Sequence, residues 1–153
     1  MQNNGLDFEV EVQNFFAERG LPIFETPQSH DYGADLILYF NGTKIAIQCK
    51  DYSTPVGISA VQEIIGAVRH YDVDIGMVIS KQHFTKPARQ LAASNNVILI
   101  GGNLYKLLMD DVSGNIEILS DIVNSMKHPE PEPTFKWTDY FTKILKKTKE
   151  SNT

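Results

Sequence analysis

Cysteine is nearly missing from this sequence: Cys49 stands alone among 153 residues, which excludes an intramolecular disulfide framework. Long apolar runs are missing too, since none approaches the roughly 18 residues that a membrane-spanning helix requires. The first turns carry Asp7, Glu9 and Glu11 where a signal peptide would be basic and then apolar. The expectation is a reducing, cytoplasmic setting with no membrane partner. Basic residues are in deficit, with 14 Lys and Arg against 19 Asp and Glu for a formal charge of −5. That balance argues against a protein that coats nucleic acid non-specifically. What is present, 42% hydrophobic and 22% charged residues, is the composition of a globular chain long enough for one real core.

The charge is unevenly placed. Residues 1 to 35 hold one basic side chain, Arg19, against seven acidic ones, a balance of −6, whereas residues 36 to 101 come to +2. Residues 102 to 126 come to −3 and residues 127 to 153 to +2. The acidity is therefore mostly N-terminal, and the middle of the chain is mildly basic.

Hydrophobic spacing outlines the elements. Leu6, Val10, Val12, Phe15 and Phe16 recur at helical intervals before Gly20, so a helix is expected over Leu6 to Arg19. Leu21 to Glu25 is a short strand. Asp35 to Phe40 and Lys44 to Lys50 are strands joined by Asn41-Gly42, a strong two-residue hairpin signal. Val61, Ile64, Ile65 and Val68 mark a second helix over Ser59 to Tyr71, and Ile75 to Ser80 a further strand. Thr85 is placed to cap a helix with Pro87 in its first turn and Ala88, Leu91 and Ala92 facing inward, followed by the strand Val97 to Ile100. Strands alternating with helices imply an α/β fold: helix, three strands, helix, strand, helix, strand, with a central mixed sheet flanked by helices. Beyond Gly102, Leu104 to Met109 reads as helix and Asn115 to Leu119 as a small strand. The proline-rich run His128 to Pro133 reads as a stiff linker, and the segment from Trp137 onward as an amphipathic helix ending in lysines.

Chemistry concentrates at one end of the hairpin. Side chains alternate across a strand, so Ile45, Ile47 and Cys49 share one face, taken as the core face, while Ala46, Gln48 and Lys50 share the other. A thiol among isoleucines behaves as a small hydrophobe and not as a nucleophile. Counting outward from Asn41-Gly42 sets Asp35 opposite Gln48, close to Lys50, and Gly33 just before the acid permits a positive φ or a close backbone approach. A carboxylate, an amide oxygen and a backbone carbonyl suit a hard cation such as Mg²⁺, which takes few protein ligands and keeps its waters.

In this order, Gly5-x-x-Phe8-Glu9, Asp31-x-Gly33-Ala34-Asp35-Leu-Ile, Ile47-Gln48-Cys49-Lys50, Gly66-Ala67, and Phe84-Thr85 through Ala88 and Leu91-Ala92 to Val97 and Ile100 resemble the PD-(D/E)XK nuclease superfamily. The likeness is to its Mrr-like restriction endonuclease (type IV) branch, in which Gln replaces the second acid to give Q-x-K. The resemblance implies a restriction-endonuclease-like core and a metal-dependent DNA endonuclease acting on modified or foreign DNA, with Mg²⁺ as cofactor and Mn²⁺ as a substitute. It gives Asp35 the part of chief metal ligand and Gln48 that of completing the ligand set. Glu9, preferred over Glu11 because it follows Phe8, assists the metal or the water, and Lys50 orients or activates the attacking water. Two other readings share the fold: a non-catalytic DNA-binding or assembly module, and a structure-specific, junction-resolving nuclease.

Weaker candidates are Gln62 as a supporting helix residue, His30 near a phosphate, and Lys81, Lys86 and Arg89 along a DNA backbone. The expected organisation is a catalytic domain over 1–102, a small extension over 103–127, a Pro/Glu linker over 128–134 and an amphipathic helix over 135–153. Mrr-like enzymes usually carry a separate module that reads DNA, and no segment here corresponds to one. Site recognition is therefore expected from a homo-oligomer or a partner protein.

Overall fold

The computed structural model describes residues 4–27, 32–110, 116–127, 142 and 145–146. Among the described residues the elements run in order α1 (Asn4–Ala17), β1 (Ile23–Glu25), β2 (Leu36–Phe40), β3 (Thr43–Lys50), α2 (Ile58–His70), β4 (Ile75–Ser80), α3 (Lys86–Ser94), β5 (Val97–Ile100), α4 (Asn103–Met109) and α5 (Ile116–Lys127). The five strands form one sheet in sequence order, with β1, β2 and β3 antiparallel and β3, β4 and β5 parallel. This is the mixed α/β core expected from the alternation of strands and helices. The chain divides into two compact units, Met1–Leu119 and Ser120–Thr153, and everything that bears on the site lies in the first. No helix among the described residues is long and apolar enough to cross a membrane.

Local chemistry explains the turns. Asn41 and Gly42 have φ of 49° and 82°, the pair of positive values that a tight hairpin needs if its twist is to match the flanking strands. The register that follows runs from Phe40 with Thr43 to Leu36 with Ile47. There it stops: the Asp35 N–H donates to Ile47 O, already the partner of Leu36, so Asp35 stands beside the end of β3 without the pairing to Gln48 that the count from the turn predicts. Thr85 caps α3 by accepting from the Ala88 N–H at 3.3 Å, and Pro87 occupies the first turn, where its missing N–H costs nothing.

Both faces of the sheet are covered. Phe8, Val12, Phe15 and Phe16 of α1 are buried, as are Leu36, Leu38, Phe40, Ile45 and Ile47. On the opposite face Ala46 and Val78 pack with Ala60, Val61, Ile64 and Ala67 of α2 and Ala88 and Ala92 of α3. Each large apolar side chain so buried contributes about 1.5–3 kcal/mol. This corrects the reading of β3 as having one core face. Parallel strands are joined by helices that pack back on the sheet, so Ala46 is fully buried and Gln48 only 5% exposed. Cys49, expected in the core, is instead half-buried near the strand's end.

A second correction concerns the C-terminal part. Residues 116–119, expected as a strand, form the first turn of α5. Leu119 and Val123, four apart, are its buried positions, so the helical period over the longer segment prevails over the short alternation of Ile116 to Ile118. The linker over 128–134 falls outside the described residues, as do His30, Asp31 and most of the segment from Trp137 onward.

Candidate active site

The carboxyl end of β3 opens into a cleft of about 510 Å³ lined by Glu9, Gly33, Asp35, Gln48, Cys49, Lys50, Asp51, Tyr52 and Glu63. Three separate stretches therefore bring the four expected residues together: α1 supplies Glu9, the residue before β2 supplies Asp35, and β3 supplies Gln48 and Lys50. Glu11, the competing helix acid, does not line the cleft. Its carboxylate lies 3.5 Å from the Lys81 ammonium, with both side chains about half exposed.

Asp35 is pinned from several sides. Its backbone N–H donates to Ile47 O at 2.8 Å, and its carbonyl accepts from the Thr26 N–H at 3.0 Å and the Thr26 hydroxyl at 3.1 Å. The same hydroxyl lies 2.6 Å from Ala34 O. With the main chain fixed, the Asp35 Oδ2 accepts from the Cys49 N–H at 2.8 Å, which holds the carboxylate over the end of β3. Gly33 has φ of +90°, and a Cβ there would stand 2.2 Å from the Glu63 carbonyl oxygen. Glycine thus meets both needs anticipated for it, a positive φ and a close approach, the latter to α2.

Gln48 is buried, and its Nε2 donates to the Glu63 Oε2 at 2.5 Å. Its Oε1 is buried without a hydrogen-bond partner, a state that costs about 1–3 kcal/mol and calls for a ligand or water to explain it. The Lys50 ammonium lies 3.2 Å from the same Glu63 oxygen and 5.6 Å from the Tyr52 ring centroid. Burial alone would lower the Lys50 pKa. The Tyr52 hydroxyl and the Glu63 carboxylate outweigh it, and the net shift is upward, so Lys50 is a firmly held cation. The Cys49 thiol is pushed well up, by burial first and then by the Asp35 and Glu9 carboxylates, which makes it a poor nucleophile.

These groups fit a hard divalent cation. Among the described residues no three His, Cys, Asp or Glu side chains form a metal-holding group. Of the four carboxylates that line the cleft, Glu9 and Asp35 are the two that the family resemblance points to, and beside them stands the unpartnered amide oxygen of Gln48. A few oxygen ligands supplemented by water is the preference of Mg²⁺, not of zinc.

A family model described as a restriction endonuclease, that of the Mrr catalytic domain, matches residues 1–108. The chain belongs to the Mrr-like restriction endonuclease family. Among solved structures the chain is similar to a protein of unknown function, AF1548, at 14% identity and a TM-score of 0.53, covering 78% of this chain and 77% of that one. It is also similar to the DNA modification-dependent restriction endonuclease AspBHI, at 19% identity and a TM-score of 0.54, covering 78% of this chain and 36% of AspBHI. For the restriction endonuclease MspJI in complex with a 27-mer oligonucleotide the identity is 17% and the TM-score 0.45, with 75% of this chain and 30% of MspJI covered. The chain thus spans about a third of these two enzymes. No curated protein matches it in sequence.

The Mrr-like fold read from Asp35 and Gln48-Cys49-Lys50 is the fold observed. The residue that the sequence reading missed is Glu63. Gln62, the helix residue singled out, is exposed and does not line the cleft. Helical periodicity carries the signal: Ala60, Ile64 and Ala67 face inward, so at 100° per residue position 63 flanks that stripe while position 62 points away. Of the basic residues, Lys81 lies over the Phe8 ring, 5.2 Å from its centroid, and Lys86 and Arg89 are exposed on α3. None of the three lines the cleft.

Proposed function

We propose that this Mrr-like chain is a divalent-cation-dependent DNA endonuclease that hydrolyses phosphodiester bonds, with Mg²⁺ as the cofactor and Mn²⁺ as a substitute. One observation carries the reading: Glu9, Asp35, Gln48 and Lys50, drawn from three separate stretches of chain, line one cleft in which an amide oxygen is buried without a partner. Asp35 and the Gln48 Oε1 are the first ligands, and Glu9 is the carboxylate that assists from α1. When bound, a hard divalent cation supplies Lewis-acid charge at a phosphoryl oxygen and makes water a better nucleophile at neutral pH.

Lys50 acts as a charged donor. Its ammonium lies 3.2 Å from the Glu63 carboxylate, at the end of β3 and in the same cleft as Asp35 and Gln48. Its contribution is to orient the attacking water and to offset charge that builds on the phosphate. Foreign or modified DNA is the substrate class that membership of a restriction family supports. Site recognition comes from a second copy or a partner protein, and Lys81, Lys86 and Arg89 supply phosphate contacts outside the cleft.

The test is a titration of the purified protein with Mg²⁺ and Mn²⁺ against plain, methylated and branched duplexes, read as strand cleavage with a chelator control. Cleavage that appears with the metal and stops with the chelator is expected. Binding of these DNAs without cleavage under either metal would overturn the proposal in favour of a non-catalytic module, and cleavage of the branched form alone would make the enzyme structure-specific.

A further inference from the structure

We propose that Glu63 is a positioning residue that decides which atom of Gln48 faces the cation. The inference rests on the metal-dependent reading of the site. A carboxylate accepts hydrogen bonds and cannot donate them, so the contact between the Glu63 Oε2 and Gln48 at 2.5 Å commits the amide nitrogen to α2. The amide oxygen is thereby left as the atom without a partner. This matters because Gln48 stands where a carboxylate would present an oxygen from either rotation, whereas an amide presents an oxygen from one and an NH₂ group from the other. A cation accepts only the oxygen. The same Glu63 oxygen lies 3.2 Å from the Lys50 ammonium, so one atom on α2 aligns both polar side chains at the end of β3.

Two further features set Glu63 apart from an ordinary structural acid. Its side chain is 46% exposed, and a half-exposed ion pair of this kind adds little to stability. Its place beside the site depends on Gly33, where a Cβ would stand 2.2 Å from the Glu63 carbonyl oxygen. The glycine ahead of Asp35 is thus also what lets α2 bring Glu63 within reach of Gln48.

The experiment is Mn²⁺ binding to the full chain without DNA, measured by calorimetry or electron paramagnetic resonance, for the wild type, Glu63→Gln and the exchange Gln48→Glu with Glu63→Gln. In Glu63→Gln the helix amide can donate or accept, the direction of Gln48 is lost, and Mn²⁺ affinity is expected to fall by about 10- to 100-fold. The exchange puts a carboxylate on β3 and the donor on α2, and it is expected to recover most of that loss. Thermal unfolding of metal-free Glu63→Gln is expected to be nearly unchanged, whereas the exchange, which puts a carboxylate at a buried position beside Asp35 and Glu9, is expected to melt lower without metal and to recover when Mn²⁺ is added. Unchanged Mn²⁺ affinity in Glu63→Gln, or an exchange no better than the single variant, would overturn the role of Glu63 alone. A wild type that binds no Mn²⁺ would overturn the metal-site reading and this inference with it.

Discussion

Replacing Gly33 with alanine tests how the site is assembled. The residue has φ of +90°, and its missing Cβ would stand 2.2 Å from the backbone oxygen of Glu63. A left-handed backbone costs an L-residue about 1–2 kcal/mol, and forcing a methyl into a packed contact costs about 1–3 kcal/mol more. The obstacle is helix backbone, so no flexible side chain can swing aside to relieve it. Gly33→Ala is therefore expected to lose on the order of 2–5 kcal/mol, a large share of the roughly 5–15 kcal/mol that holds a typical domain folded. Two controls separate the terms. Gly42 has φ of +82° with nothing within 4 Å of a Cβ, so Gly42→Ala bears only the conformational cost. Gly66 lies inside α2 with equally open space and no positive φ, so Gly66→Ala is expected to stabilise by roughly 0.5–1 kcal/mol. Urea unfolding of the three variants gives the comparison. A Gly33→Ala protein no less stable than Gly42→Ala would refute the close approach of this loop to α2.

Other consequences are more local. Thr26→Val keeps the shape of the side chain but removes the hydroxyl beside Ala34 O and Asp35 O, and is expected to cost about 1–3 kcal/mol in urea unfolding. Cys49 is expected to react with iodoacetamide at pH 8 far more slowly than a free thiol, because burial and the Asp35 and Glu9 carboxylates disfavour the thiolate. The rate should climb only as the pH is raised further, and reaction at the free-thiol rate in the folded protein would contradict this. Lys81→Ala breaks a half-exposed pair with Glu11, and its stability is expected to change by less than about 1 kcal/mol. A loss several times larger would show that the pair is shielded from solvent.

The sheet and the hairpin were legible because their signals are local. Asn41-Gly42 sets the register as far as Leu36 opposite Ile47, and that is enough to bring Asp35 into the same cleft as Gln48 and Lys50, although the expected pairing of Asp35 with Gln48 does not form. The order of strands follows from helices that intervene between β3, β4 and β5. What stayed hidden depends on packing between distant segments. The face of β3 that carries Gln48 looked polar and open, yet α2 covers it, and an alternating strand pattern does not tell a solvated polar residue from one buried against a helix. Glu63 is written in the sequence only as a position flanking an inward stripe. Its role emerges when α2 is docked against Gly33, a contact thirty residues away along the chain. Asn115 to Leu119 shows the converse: the short alternation Ile116-Glu117-Ile118 suggests a strand, but the helical period that continues from Leu119 to Val123 decides for α5.

In the function proposed above, Asp35 and Lys50 form the working centre of a metal-dependent nuclease. The most direct measurement is the rate of plasmid cleavage at saturating Mg²⁺ for the wild type, Asp35→Ala and Lys50→Ala, each checked for folding by circular dichroism. Cleavage by the wild type and its disappearance in both folded variants is the expected result. Equal cleavage by all three proteins would show that neither residue belongs to the reacting centre.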